Sequence, residues 1–115
     1  MPRFVILEHD FPELHWDFML ECGSALKTWR LARPPVTDGD PIAVTPLSDH
    51  RLQYLVYEGP VSGDRGNLKR WDAGEYEGDL EPATWRIRLQ GGKISASAVM
   101  EMGAAGGQVR FLPLT

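Results

Sequence analysis

The sequence predicts an all-β fold, a small closed or nearly closed antiparallel β-barrel with short helical turns. Twelve glycines and nine prolines separate short segments rich in Val, Ile, Leu, Trp, Tyr and Phe, which is the pattern of short strands joined by turns. An apolar repeat with the helical period is weak throughout, so little helix is expected. A length of 115 residues is typical of one domain, which we place at residues 1–115.

The first half of the chain is predicted to form five strands, at residues 3–8, 14–21, 25–32, 42–45 and 52–58. The first two strands are joined by a turn at residues 11–13, because the residue before Pro12 avoids the helical region and proline starts turns well. Gly23 indicates a tight hairpin turn at residues 22–24, between the second and third strands.

The segments around the fourth and fifth strands are less regular. Residues 36–41 are expected to form an exposed loop. Residues 46–51 are predicted to hold one helical turn, with Ser48 or Asp49 as its cap. Residues 59–67 contain several glycines and a proline, so they are expected to be the most mobile loop.

The second half is predicted to form strands at residues 68–72, 75–80, 83–90, 93–101 and 108–113, with turns at 73–74, 91–92 and 103–107. The clearest of these is 83–90, where Trp85, Ile87 and Leu89 alternate with charged and polar residues. Such alternation is typical of an antiparallel strand with one face buried.

Composition and charge restrict the class of protein. Hydrophobic residues make up 43% and charged residues 24%, as in ordinary globular domains. The longest apolar runs are far shorter than a membrane span needs, so no membrane partner is expected. The formal net charge of −4 argues against coating of nucleic acid through bulk electrostatics, but an enzyme that grips one nucleic-acid end stays open.

A single cysteine, Cys22, excludes an internal disulfide framework. It is compatible with a reducing, cytoplasmic location, and we expect its thiol to be a small buried side chain.

Two of the three histidines lie close in sequence to an aspartate. On a strand, residues two positions apart face the same side, so His15 and Asp17 should project together, with His9 joining them across a short turn. Trp16 should then face away. Two imidazoles and a carboxylate can bind Mn²⁺, Zn²⁺ or Fe²⁺ and leave positions open for a substrate. The alternative is three separate surface residues.

Further polar residues could complete a phosphate-handling site. His50 could donate to a phosphate oxygen or protonate a leaving group, and Tyr54 could orient it. The alternative is a histidine at a helix end beside a packed tyrosine. Arg30 and Arg33 are three positions apart, so on a regular strand they face opposite sides and at most one points to the site.

Four ordered motifs resemble one known family. They are His9-Asp10 followed by Leu-His-Trp-Asp-Phe-Met-Leu-Glu at 14–21, Leu26-Lys27-Thr28-Trp29, Asp49-His50 with Tyr54 and Glu58-Gly59, and Trp71-Asp72-x-Gly74. Together they are similar to the 3′-phosphoesterase domain of bacterial DNA ligase D, which also occurs in a free-standing form.

The resemblance implies a small β-barrel with a hydrophobic interior and a crescent-shaped groove. It implies a Mn²⁺-dependent hydrolase of DNA end repair that removes a 3′-terminal ribonucleoside and then the 3′-phosphate. The metal ligands would be His9, His15 and Asp17, although Zn²⁺ or another transition metal stays open. By the same resemblance His50 and Tyr54 contact the phosphate, and Arg33 replaces a catalytic lysine of the family.

The chain also departs from the family pattern. Met19 replaces an arginine that would share a face with His15 and Asp17, and Ile42 replaces a basic residue. Losing one charge-assisted phosphate contact costs about 1.5–3 kcal/mol. Arg30, Arg33 and Arg51 are the candidates to replace that charge, and we assign Arg30 and Arg51 to substrate binding.

Three functions therefore stay open. The first is a phosphoesterase acting on nucleic-acid 3′ ends, such as primer-template DNA with a 3′-ribonucleotide or 3′-phosphate. The second is a metal-binding barrel that has lost catalysis and binds nucleic acid or protein. The third is a phosphoesterase with a smaller substrate. Since no linker to a ligase or polymerase module is expected at either end, such a repair partner would act in trans.

Overall fold

A computed structural model describes residues 1–104 and 106–114 of the chain. Within these residues nine strands are formed: β1 Arg3–His9, β2 His15–Cys22, β3 Ala25–Leu31, β4 Ile42–Arg51, β5 Gly59–Pro60, β6 Asn67–Glu77, β7 Thr84–Gly91, β8 Ser95–Gly103 and β9 Gly106–Pro113. The helical segment of the described part is the 3₁₀ helix Leu52–Leu55. None of its helices is long and apolar enough to cross a bilayer.

The strands close into an antiparallel barrel. Neighbours follow the order β1-β2-β3-β4-β9-β8-β7-β6, and β6 pairs with β1 to complete a ring of eight strands. The short β5 adds to β6 outside that ring, opposite Leu68. Closure pairs the strand edges that an open sheet would leave exposed. The all-β barrel expected from the sequence is therefore confirmed.

The two faces of the barrel wall bury different residues. The interior holds the main core, to which β7 contributes Trp85, Ile87 and Leu89 while Arg86 and Arg88 stay exposed. This is the alternation that the sequence of residues 83–90 predicts.

A second cluster lies outside the ring and is here called the outer cluster: Val5, Leu7, Met19, Leu26, Leu55 and Leu68. Strand β1 is therefore buried on both faces. The 3₁₀ helix covers this part of the wall through Leu55, which is 6% exposed. One section of the outer barrel surface thus becomes the floor of a groove, and that groove holds the candidate site.

The prediction for residues 46–58 was wrong in both halves. Residues 46–51 continue β4, where Leu26 pairs with His50 and Ala25 with Arg51, instead of forming a helical turn capped by Ser48 or Asp49. The predicted strand 52–58 is instead the 3₁₀ helix and its exit. Hydrogen bonding to β3 extends a polar segment that local propensity alone would not hold in a strand.

Residues 68–72 and 75–80 do not form two strands, because β6 runs unbroken from Asn67 to Glu77. Gly74 lies in its middle, and a Cβ built there would be 2.0 Å from the carbonyl oxygen of Gln90 on β7. The glycine therefore allows a close approach of two strands rather than a turn.

Two further predictions concern single residues. Cys22 is exposed at the end of β2, so the expectation of a buried thiol was wrong. The predicted turn 103–107 includes Ala105, which lies outside the described residues, as does Thr115 at the end of the predicted domain.

Asp72 connects β6 to the turn between β7 and β8. Its buried carboxylate accepts backbone N–H groups from Ala73 at 2.9 Å, from Lys93 at 3.0 Å and from Ile94 at 2.7 Å. A Cβ built at Gly91 would lie 2.4 Å from this carboxylate. The Trp71-Asp72-x-Gly74 motif therefore serves the fold, because its aspartate and glycine hold β6 against the β7–β8 hairpin.

Tyr76 of β6 joins the same wall to β2. Its hydroxyl donates to the carbonyl oxygen of Glu21. Burial raises the pKa of Tyr76 to about 12, so the hydroxyl stays a donor at neutral pH. On the surface nearby, hydrogen bonds from Arg3 hold the pKa of the Glu21 carboxyl below its usual value.

Candidate metal centre

The three predicted metal ligands lie at the end of the β1–β2 hairpin where the connecting turn joins the two strands. His9 is the last residue of β1 and His15 the first of β2, and the two are paired across the strands. Asp17 follows two positions along β2, on the face of His15. Trp16, between them, packs against the main core, as the alternation predicted.

The side chains of these residues meet. Asp17 Oδ1 lies 3.2 Å from His15 Nε2, and Asp17 Oδ2 lies 3.6 Å from His9 Nδ1. The two imidazole rings are 4.8 Å apart between centroids. One candidate ligand atom from each residue lies within 4.8 Å of the other two. The geometry therefore excludes the reading as separate surface residues.

Backbone carbonyl groups determine which ring nitrogens are available. His9 Nε2 is 2.8 Å from the carbonyl oxygen of Arg65, and His15 Nδ1 is 2.8 Å from that of Glu13. A carbonyl only accepts hydrogen bonds, so these two nitrogens carry the protons. In neutral imidazoles, His9 Nδ1 and His15 Nε2 therefore present lone pairs toward Asp17, as carbonyl-bonded metal ligands do.

A divalent metal fits this arrangement. Asp17 is 4% exposed, and its Oδ1 has no hydrogen-bond partner among the described residues. Two imidazole lone pairs thus converge on a buried carboxylate with no donor between them, which is costly unless a cation or a proton lies there. Two histidines and one carboxylate suit Mn²⁺, Fe²⁺ and Zn²⁺.

The two histidines are expected to adopt opposite tautomers. In the metal-free protein with both imidazoles neutral, nitrogen-15 NMR should show the proton of His9 on Nε2 and that of His15 on Nδ1, since each must donate to its carbonyl. His50 provides an internal comparison, because its Nδ1 lies 2.9 Å from the Ser48 carbonyl oxygen. The same tautomer at His9 and His15 would contradict the assignment of the free lone pairs.

These ligands open into a cavity of about 300 Å³. His50, near the end of β4, and Tyr54, in the 3₁₀ helix, form part of its wall, with ring centroids 5.6 Å apart and edge to face. The continuation of β4 and the 3₁₀ helix place them there. The structure therefore brings the predicted metal ligands, the predicted phosphate-contacting histidine and its tyrosine into one cavity.

The three predicted arginines lie in three different places. Arg30 lies opposite Asp17 on β3 and lines the cavity. Arg33 lies beyond the end of β3 and donates to the carbonyl oxygen of Pro41 at 3.0 Å. Arg51 is exposed at the far end of β4, opposite Ala25. The roles proposed for Arg33 and Arg51 stay predictions, and neither residue forms part of this cavity wall.

Met19 and Ile42 differ in their surroundings. Met19 is 1% exposed and lines the cavity on the same face as His15 and Asp17, as predicted. Ile42 is also 1% exposed but belongs to the main core inside the barrel.

Arg65 is a cavity residue that the sequence did not indicate. Its carbonyl oxygen holds His9, and its guanidinium donates to Ser62 from the other side of the cavity. Asp10 holds the turn that contains Arg65 in place, because its carboxylate accepts the N–H of Asn67 at 2.7 Å. Gly66, with φ +78°, leaves room there, because a Cβ would lie 2.3 Å from Asp10. This contact joins segments far apart in the chain, so local patterns carry no signal for it.

Comparisons with known proteins agree with the resemblance seen in the sequence. A family model described as the DNA ligase D 3′-phosphoesterase domain matches residues 7–101. The multifunctional non-homologous end joining DNA repair protein LigD of Mycobacterium tuberculosis is 36% identical over 102 residues, which is 80% of this chain and 13% of that protein. LigD of Pseudomonas aeruginosa is 32% identical over 105 residues, which is 81% of this chain and 12% of that protein. The chain thus spans only a small part of these relatives, and it belongs to the DNA ligase D 3′-phosphoesterase domain family.

Proposed function

We propose that this protein is a metal-dependent phosphoesterase that trims nucleic-acid 3′ ends during DNA end repair, removing a terminal ribonucleoside and a 3′-phosphate. The observation that carries the proposal is the convergence of His9 Nδ1, His15 Nε2 and the buried Asp17 carboxylate at a cavity that His50 also lines. Membership of a phosphoesterase family and relatives named for end joining support the same class.

The metal would be held by His9, His15 and Asp17. We propose Mn²⁺, with Zn²⁺ or another transition metal as the alternatives. When bound, the cation would neutralise phosphate oxygens and make a coordinated water more acidic. Hydrogen bonds to the carbonyl groups of Arg65 and Glu13 fix the two imidazole rings with their lone pairs directed to the cation. Such hydrogen bonds raise the affinity of a histidine site for a metal.

His50 is proposed as the proton-handling residue. Its Nδ1 donates to the Ser48 carbonyl oxygen, so Nε2 is the nitrogen left to protonate a leaving oxygen or to donate to a phosphate oxygen. The ring of Tyr54 packs edge to face against it and is itself backed by Tyr57 at 6.0 Å between centroids. Tyr54 would therefore hold the orientation of His50 and place its own hydroxyl near the phosphate.

The apolar part of the cavity wall would favour a compact site with little free water. Met19 and Leu68 of the outer cluster line it beside the metal ligands. Lower water content strengthens electrostatic contacts to a bound phosphate. The proposed substrate is a primer-template end bearing a 3′-ribonucleotide or 3′-phosphate. A repair ligase or polymerase as partner and a cytoplasmic location belong to the same proposal.

The proposal is tested by adding Mn²⁺ and a labelled primer-template with a 3′-phosphate or a single 3′-ribonucleotide. We expect shortened or dephosphorylated 3′ ends with metal and at least ~100-fold less product after chelation, since metal charge stabilisation supplies several kcal/mol. The same duplex with a 5′-phosphate is the matched control.

Product at the level of the enzyme-free reaction, in a sample that binds Mn²⁺, would contradict the proposal. That result would favour a metal-binding module without catalysis. The observation that favours this second function is Met19, which is buried and apolar beside the site.

A further inference from the structure

Arg30 is a partly buried cation on β3. Its Nε is fully buried and has no hydrogen-bond partner among residues 1–104 and 106–114. Three other arginines donate to carbonyl oxygens: Arg33 to Pro41, Arg65 to Ser62, and Arg110 to Gly39. The side chains of Arg51, Arg70, Arg86 and Arg88 are exposed to water. A guanidinium withdrawn from water is costly unless an anion or a carbonyl oxygen accepts its N–H groups.

Asp17 does not act as that acceptor, although it lies directly opposite Arg30 on the neighbouring strand. The carboxylate oxygens of Asp17 instead face the two histidines, at 3.2 Å from His15 Nε2 and 3.6 Å from His9 Nδ1. Residues directly opposite on paired strands face the same side, so Arg30 lies on the face of the metal ligands and lines their cavity. Its charge is therefore available to an anion in that cavity.

Strand β2 offers no cation of its own at this place. Met19, two residues after Asp17, fills the corresponding part of the wall with an apolar side chain packed into the outer cluster. Arg65, on the other side of the cavity, is exposed and already donates twice to Ser62. Arg30 is thus the cavity cation that combines burial, a free donor and closeness to the metal ligands.

We propose that Arg30 binds the phosphate of the substrate beside the metal ligands, so that β3 rather than β2 supplies the phosphate-binding cation of this chain. The fork of guanidinium donors matches the oxygens of a phosphate, most strongly those of a terminal phosphomonoester with two negative charges. This inference rests on the proposed function and names the residue that selects its substrate.

The test measures binding of inorganic phosphate to the Mn²⁺-loaded protein by calorimetry, together with KM for a 3′-phosphate primer-template. Arg30→Leu is expected to weaken phosphate binding about 10- to 100-fold and to raise KM by a similar factor, as loss of a charge-assisted contact does. Its Mn²⁺ affinity should stay within about twofold of wild type. Arg30→Lys, which keeps the charge and loses the fork, should lose less than Arg30→Leu and covers the case in which the leucine variant does not fold.

Arg86→Leu is the matched control, because Arg86 is exposed on β7 and outside the cavity. Undiminished phosphate binding in folded Arg30→Leu, or a larger loss in Arg33→Leu or Arg51→Leu than in Arg30→Leu, would overturn the inference. Failure of the proposed function would give a different result. The wild-type protein itself would then release no phosphate from any 3′ end, whatever residue stands at position 30.

Discussion

Replacing Asp17 by asparagine is expected to abolish tight metal binding and to lower phosphate release from 3′ ends at least ~100-fold, because the metal supplies several kcal/mol of charge stabilisation. Asp17 provides the charge of the donor set, and its buried Oδ1 has no hydrogen-bond partner in the described part of the chain. An amide has the shape of the carboxylate but is neutral. Its NH₂ group can donate to His9 Nδ1 or His15 Nε2, which occupies the lone pairs that a metal needs.

The folded state of Asp17→Asn should survive, which separates metal loss from unfolding. In chelator, its free energy of unfolding is expected within ~1 kcal/mol of wild type, since a buried unpaired carboxylate is replaced by a hydrogen-bonding amide. Saturating Mn²⁺ should raise the melting temperature of wild type and leave the variant unchanged, because a ligand that binds only the native state stabilises it.

Asp79→Asn, at an exposed carboxylate away from the cavity, is the matched control for Asp17→Asn and should respond to Mn²⁺ as wild type does. A Mn²⁺-induced shift of equal size in Asp17→Asn would show that the ion binds elsewhere.

Asp72→Ala is expected to cost about 3–5 kcal/mol of stability, the largest loss predicted for a residue outside the site. The substitution leaves the backbone N–H groups of Ala73, Lys93 and Ile94 without their acceptor, and each such group costs about 1–3 kcal/mol when buried. It also opens a gap beside Gly91, whose backbone approaches the carboxylate closely. Urea unfolding followed by tryptophan fluorescence measures the change.

Glu77→Ala controls for loss of a carboxylate from the same strand, since Glu77 is exposed, and should shift stability by no more than ~0.5 kcal/mol. In the folded fraction of Asp72→Ala, Mn²⁺ affinity is expected to be unchanged. A stability loss below ~1 kcal/mol would mean that the β7–β8 turn does not depend on this carboxylate. The motif of residues 71–74 would then not be explained by its role in the fold.

The strand pattern and the face of the ligands could both be predicted from local sequence. Trp85, Ile87 and Leu89 alternate with exposed residues because one face of β7 packs in the barrel interior. The same period of two placed His15 and Asp17 on one face. These are short-range properties of an extended chain, so they hold whatever the strand pairs with.

Residues 46–58 show where local reasoning fails. Pro46, Ser48 and Asp49 give the segment no apolar alternation, so nothing in it indicates a strand. Pairing with β3 nevertheless extends β4 to Arg51, and burial of Leu55 in the outer cluster bends the following residues into a 3₁₀ helix. Tertiary pairing outweighs propensities of a few tenths of a kcal/mol per residue. The position of His50 and Tyr54 in the cavity depends on that outcome.

The sequence by itself determined the all-β class, the family and the three candidate metal ligands, because each depends on residue identity and on spacing within one hairpin or motif. Only the tertiary structure decided which ring nitrogens face Asp17 and which arginine lines the cavity. The carbonyl that holds His9 belongs to Arg65, 56 residues away, and Arg30 faces Asp17 through the register of β2 and β3. Such contacts form when the barrel closes, since closure brings together groups that no local pattern relates.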